Sequence, residues 1–278
     1  MTKTTTLRTT LVLAAALVAL PAFAHDHATT TPATQPSTVP STGPATEPAA
    51  DHGDASEVTA QQVIDAYIEA TGGRAAYETV AEASYVIDGK IIIQAQGIEG
   101  TYKMYRDGEK MLMVADIPNF GEIKRGYDGE TFWESNLMTG ARIVEGAEKE
   151  ATVRESGFDS LLNPTEHYES MTVVGTENVN GEETHKVELV DKLTGETETR
   201  FYSIETGLLL KATVFAPMPG SVVETTVQFD NYKEFLGILM PTETTQSQMG
   251  GSVLLTVSGV SDEFDLGGNS FDVPDELK

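Results

Sequence analysis

The sequence contains no cysteine. That excludes a disulfide framework and a lipid-modified N-terminal cysteine. A fold without disulfides depends on its own apolar core, which a domain of this size is large enough to build. Long apolar runs are lacking as well. Leu11 to Leu20 is unbroken but falls well short of the roughly 20 residues that a spanning helix needs, and no later stretch comes closer.

Positive charge is scarce. The chain carries 18 Lys and Arg against 43 Asp and Glu, a formal net charge of −25. Counterion release on nucleic acid needs clustered cations, so a nucleic-acid partner is excluded. Adsorption to an anionic membrane surface is disfavoured for the same reason. The excess acid serves solubility, and a membrane-derived ligand has to be recognised by apolar contact. No sequence repeat signals a propeller or solenoid.

Catalytic motifs are absent too. His167 and His185 are the histidines of the folded part, and neither lies beside a Gly-x-Ser-x-Gly elbow, a His-Glu-x-x-His pair or a phosphate loop. Gly72-Gly73-Arg74 reads as a helix C-cap and not as a dinucleotide fingerprint. Carboxylates are so abundant that chance pairs carry no weight. The expectation is a protein that is not an enzyme and needs no cofactor.

What is present begins with an export signal. Lys3 and Arg8 form a small positive region, Leu11 to Leu20 an apolar one, and Ala22-Phe23-Ala24 a cleavage site. Residues 1–24 are therefore expected to be a signal peptide, with a periplasmic destination the simplest reading. Residues 25–56, rich in Thr, Pro and Ala with scattered acids, read as a disordered linker. Cleavage after Ala24 would put His25-Asp26-His27 at the new terminus. The free amine, two amide nitrogens and the His27 imidazole would suit square-planar Cu(II) or Ni(II), with His25 and His52 adding axial or competing contacts.

The folded domain is expected over residues 57–278. Thr59-Ala60-Gln61-Gln62 fits a capping box, and Val63, Ile64, Tyr67 and Ile68 share one helical face that stops at Gly72-Gly73. A short second helix over Arg74 to Val80 follows. The period then changes to two. Tyr85, Ile87, Ile91 and Ile93 alternate with Val86, Asp88, Lys90 and Gln94, and Tyr102, Met104 and Arg106 alternate with Thr101, Lys103 and Tyr105. Turn signals recur at Asp107-Gly108, Asp128-Gly129, Thr139-Gly140, Asn180-Gly181, Thr194-Gly195, Thr206-Gly207 and Gly250-Gly251. The fold class is thus mainly β (α+β), an antiparallel meander of roughly ten strands curled into an open barrel or half-barrel. Ala147 to Leu162 reads as one mid-chain helix, with Phe158, Leu161 and Leu162 among its apolar residues. The helices must cover an open end of the sheet or pack within its concave face.

From about Thr59 to Pro274 the chain resembles the outer-membrane lipoprotein-sorting proteins, and more broadly the lipoprotein carrier LolA and its receptor LolB. The residues that carry this are Gly126-Tyr127-Asp128-Gly129-Glu130-Thr131-Phe132-Trp133, a hairpin ending in an aromatic pair, and the strand–turn–strand from Val174-Gly175 through Asn180-Gly181 to Val187-Glu188-Leu189. Ile204-Glu205-Thr206-Gly207-Leu208, Asp230-Asn231-Tyr232 with Gly237 to Pro241, and the closing Phe271-Asp272-Val273-Pro274 follow in the same order.

The resemblance implies a lid of helices over a concave apolar cavity that shelters acyl chains of lipids or lipoproteins. Ile87, Ile91, Ile93, Tyr102, Met104, Met111, Met113 and Trp133 are then the expected cavity lining, methionine suiting ligands of varied shape. Val63, Ile64, Tyr67, Ile68, Phe158, Leu161 and Leu162 are the expected lid. The same residues also suit ordinary core. Arg106 corresponds to an arginine that latches the lid in that family, although Arg106-Asp107-Gly108 replaces the family's Arg-Pro-Asn, and a solvated strand-end arginine is the alternative. The resemblance further implies an envelope transporter and a receptor as partners, with the chain acting as a monomeric shuttle. The other reading is a non-catalytic protein–protein interaction module of the same fold, without bound lipid.

Overall fold

The computed structural model describes residues 58–218, 221–248 and 251–278. The expected signal peptide, the linker and the metal site at His25 and His27 all lie outside the described residues.

Two helices open the described chain. In α1 (Ala60–Ala70) the capping box forms as its sequence demands: Gln62 N–H donates to the Thr59 hydroxyl at 3.2 Å, and Thr59 N–H to Gln62 Oε1 at 2.8 Å. Gly72, at φ 126°, passes so close to a neighbouring turn that a Cβ there would lie 2.5 Å from the Gly237 carbonyl oxygen. Only glycine supplies both the positive φ and the missing side chain. The chain then enters α2 (Arg74–Ala81).

Strands follow in two runs. The first comprises β1 (Ser84–Ile93), β2 (Ile98–Asp107), β3 (Lys110–Ile117), β4 (Gly121–Tyr127), β5 (Phe132–Asn136) and β6 (Gly140–Val144). The second comprises β7 (Tyr168–Val179), β8 (Glu182–Asp191), β9 (Thr197–Ser203), β10 (Leu209–Met218), β11 (Ser221–Phe235), β12 (Ile238–Gln248) and β13 (Gly251–Ser261). All 13 make one antiparallel sheet in which β1 pairs with β13, leaving β6 and β7 as the two ends. The sheet does not close on itself, so the architecture is an open half-barrel. Thirteen strands exceed the expected ten or so, and β4, β5 and β6 are short, at five to seven residues each.

The segment between β6 and β7 departs from expectation. The single helix read over Ala147 to Leu162 is two pieces, α3 (Gly146–Glu155) and α4 (Asp159–Leu162), and a further short helix, α5 (Pro164–His167), follows it. Ser156-Gly157 interrupts the expected helix, and Ala151 is the one apolar side chain that α3 buries, so no continuous apolar stripe holds one long helix together.

Strand register assigns the two faces. On one, Ile87 faces Met104, Met104 faces Met113, and Ile91 and Ile93 face Leu255 and Val253. On the other, Val86, Tyr105, Leu112, Gly126, Trp133 and Ile143 form a single cross-strand rung. The C-terminal tail covers that rung with Phe264, Leu266, Phe271, Val273 and Leu277, making a second apolar cluster.

Candidate ligand cavity and its lid

The helices lie on the Ile87–Ile91–Ile93 side of the sheet. Tyr67 of α1, Tyr77 of α2, and Phe158 and Leu161 at α4 meet Tyr202, Leu209, Phe229, Ile238 and Met240 of β9–β12 around a cavity of about 40 Å³. Phe229 belongs to the face of Ile91, through the register Phe229–Thr244–Leu255–Ile91. Aromatic edges fix the lid: Tyr67 meets Tyr202 at 5.7 Å and Tyr77 meets Phe158 at 4.8 Å between ring centroids. Tyr77 also shares a 2.7 Å hydrogen bond with Thr71, and the Tyr232 hydroxyl donates to the Leu209 carbonyl at 2.7 Å. Burial, reinforced by neighbouring tyrosines, raises the Tyr67 phenol well above its ordinary range, so this cluster stays neutral.

Of the expected lid residues, Tyr67, Phe158 and Leu161 border this cavity, and Val63, Ile64, Ile68 and Leu162 are buried beside them. Of the expected lining, Ile87, Ile91, Ile93, Tyr102, Met104, Met111 and Met113 are buried on the helix-covered face but do not border the cavity. Trp133 is on the wrong face. Its indole N–H donates to the Phe271 carbonyl at 3.1 Å under the C-terminal tail, and Phe132 is the aromatic that turns inward beside Tyr127 and Val144. In an aromatic pair on one strand, successive side chains must take opposite faces. Gly126 makes room for the indole, since a Cβ there would sit 2.3 Å from it.

Arg106 is 4% exposed and so is not a solvated strand end. Its bond runs to Tyr85 on the adjacent strand, and burial lowers its pKa against the opposing effect of that phenol. The ionic ties to the lid come from other residues. Arg142 of β6 pairs with Glu148 in the first turn of α3 and, at 2.7 Å, with Glu134 of β5. Arg154 in the last turn of α3 pairs with Asp191 of β8 at 2.6 Å. Each charge sits at the helix end that its sign favours. So α3 is held to both halves of the sheet. Asp191 also accepts from Leu193 and Thr194 N–H; these donors and Arg154 outweigh burial and hold its pKa below the usual carboxylate range.

Beside this tie is a buried polar group on the inner face. Arg200 donates to Tyr168 at 2.5 Å and to Glu198 at 2.8 Å. Glu155 of α3 lies next to it, and burial, with the nearby Glu198 charge, pushes its carboxyl up to about 7. None of these was singled out from the sequence. The alternation Glu198, Arg200, Tyr202 along β9 was the available signal, because it puts all three on one face. Among the described residues, no group of three or more Asp, Glu or His is placed to hold a metal, and no helix is long and apolar enough to cross a membrane.

Comparison with known proteins gives likeness in structure alone. The chain is similar to a LolA superfamily protein from Nitrosomonas europaea, with 15% identity over 79% of this chain and 96% of that one, at a TM-score of 0.47. A DUF1329 family protein from Desulfovibrio piger matches at 16% identity over 76% and 95%, TM-score 0.46. The Mycobacterium tuberculosis lipoprotein LppX matches at 13% identity over 74% and 97%, TM-score 0.30. No family model matches the chain, and no curated protein matches it.

Proposed function

We propose that this protein is a non-catalytic carrier of the LolA type, exported to the periplasm, which shelters acyl chains of lipids or lipoproteins between its lid and the inner face of its sheet. The observation that supports this best is the segment between the two sheet ends. It covers apolar surface with three short helical pieces, and ion pairs and aromatic edges tie it down. Such a cover moves without breaking the strand ladder, because its own packing is slight. Ile87, Ile91, Ile93, Met104, Met111 and Met113 then supply the surface that an acyl chain meets once the lid lifts. Each buried methylene contributes roughly 0.8 kcal/mol, so useful affinity needs no charged contact. Met and Ile lining adapts to chains of different length.

The described cavity of about 40 Å³ favours a second reading. It has room for little more than a water molecule or two, against the several hundred Å³ of a usual ligand site. An interaction module that carries no lipid would have such an interior. One experiment separates the two: gentle purification from a native periplasm followed by native mass spectrometry. A carrier retains stoichiometric lipid, lost on delipidation and regained on incubation with lipid. A protein that is lipid-free throughout belongs to the second reading.

A further inference from the structure

Two buried side-chain polar atoms on the inner face have neither a hydrogen bond nor an ion pair among the described residues. Thr225 of β11 and Gln246 of β12 are each 4% exposed, and the atoms are the Thr225 hydroxyl oxygen and Gln246 Nε2. Both side chains belong to the helix-covered face. Gln246 stands opposite Val227 on one side and Val253 on the other, and Val253 in turn faces Ile93. Thr225 stands opposite Val214, on the next rung of the same face. The two are diagonal neighbours, a relation that brings side chains within about 7–8 Å at the backbone and closer at their tips. Around them the register places Val214, Val227, Val253 and Ile93, which offer no polar atom, while Thr244 and Gln248 stand two residues to either side of Gln246 on its own strand.

An unpaired buried amide and hydroxyl are unusual, because burial without a partner is costly and most such groups in folded proteins are satisfied. Their chemistry limits what can satisfy them. Gln246 Nε2 is a donor only, and the threonine hydroxyl can donate as well, so the partner must present an acceptor. The inner-face cation on the Gln246 rung is Arg200, reached through Val227 and Ala212, and it already holds Glu198 and Tyr168. An anionic group placed between Thr225 and Gln246 would be buried beside no free positive charge, which disfavours carboxylate or phosphate. A neutral carbonyl oxygen fits both donors.

We propose that Gln246 and Thr225 form a polar clamp for the ester or amide carbonyl of an acyl chain, whose hydrocarbon part runs along Ile93, Val253 and Val227. This rests on the carrier reading and adds to it a selectivity for acyl groups over plain hydrocarbon. The clamp fixes where the carbonyl stops, and therefore how far along the inner face the chain extends.

The test uses the full chain and the probes methyl palmitate and hexadecane, each competing with a bound fluorescent apolar dye. Wild type should prefer the ester about tenfold, the scale of one or two well-placed hydrogen bonds. Gln246→Leu and Thr225→Val, both close in volume to the residues they replace, should each shrink that preference several-fold while leaving hexadecane binding unchanged or tighter. Equal binding of the two probes by wild type, or a preference that survives in both variants, overturns the clamp and leaves the carrier reading standing. Failure of both probes to bind wild type overturns both. Repeating the competition with a diacyl phospholipid and with an N-acylated peptide assigns the source, since the one that loses most affinity in Gln246→Leu carries the carbonyl that the clamp holds.

Discussion

Arg154 in the last turn of α3 lies 2.6 Å from the Asp191 carboxylate at the end of β8, with both side chains largely withdrawn from water. This contact joins the cover to the half of the sheet that it has to cross. Removing one partner of a buried pair leaves the other uncompensated, which typically costs 3–5 kcal/mol. Asp191 keeps two amide donors, so Arg154→Met should cost less, about 2–4 kcal/mol. Thermal unfolding should fall by roughly 5–12 °C. The double variant Arg154→Met with Asp191→Asn should recover part of the loss, and no recovery would mean that the two act separately.

Arg106 provides the contrast. Its bond runs to Tyr85 inside the sheet. Amide hydrogen exchange over residues 145–167 should therefore be unchanged in Arg106→Leu and clearly faster in Arg154→Met. Faster exchange there in Arg106→Leu would restore it as a latch.

Glu155 makes the cover sensitive to pH. Burial, helped by the Glu198 charge, raises its carboxyl to about 7, whereas in an unfolded chain it titrates near 4.5. Between those values the folded protein holds a proton that the unfolded chain has released. Stability from this group is therefore complete below about 4.5, falls as pH rises through the window and levels off above 7. The total is at most about 3–4 kcal/mol, from 1.36 kcal/mol per pKa unit. Chemical denaturation from pH 4.5 to 8 should show this slope in wild type and a flatter one in Glu155→Gln. Parallel profiles would remove Glu155 from the linkage.

Phe158 should behave as cover and not as central core. It packs on Tyr77 and borders the cavity, while the sheet's own ladder does not run through it. Phe158→Ala should lower stability by about 3–5 kcal/mol if the site cannot relax, and by less if the cover collapses into the gap. Retention of an apolar dye should weaken in either case. Loss of the strand signal in circular dichroism would place Phe158 in the central core.

How far the sequence could be read depends on how local each signal was. The capping box at Thr59 and Gln62 and the turns at Asn180-Gly181 and Thr206-Gly207 are settled by neighbours within a few residues, and they stand where they were read. The hairpin at Leu236-Gly237 is harder, because Leu236 adopts φ 54°, a conformation that asparagine or glycine would ordinarily signal. Side-chain faces were legible by parity for Ile87, Met104 and Met113. Parity could not decide between Phe132 and Trp133, because what covers each one comes from elsewhere in the chain. The Arg154–Asp191 pair joins a helix to a distant strand, and nothing in either local sequence names the other.

The C-terminal tail is the remaining test, because it shows whether the second apolar cluster is structural. Trp133 donates to the Phe271 carbonyl, and Phe271 is buried against Val86, Tyr105 and Leu112 on the face away from the helices. Neither residue touches the proposed ligand surface. Phe271→Ala should therefore destabilise the fold by about 3–5 kcal/mol, the usual cost of emptying a buried phenylalanine site. Trp133→Phe keeps most of the packing but drops the hydrogen bond, which should cost about 1 kcal/mol. Trp133 is the chain's one tryptophan, so its fluorescence reports this cluster alone. Emission should shift to longer wavelength in Phe271→Ala as water reaches the indole, and should stay constant when an acyl ligand is added to wild type. A change in emission on ligand binding would mean that the outer cluster is coupled to the inner face, contrary to the separation that the strand register sets.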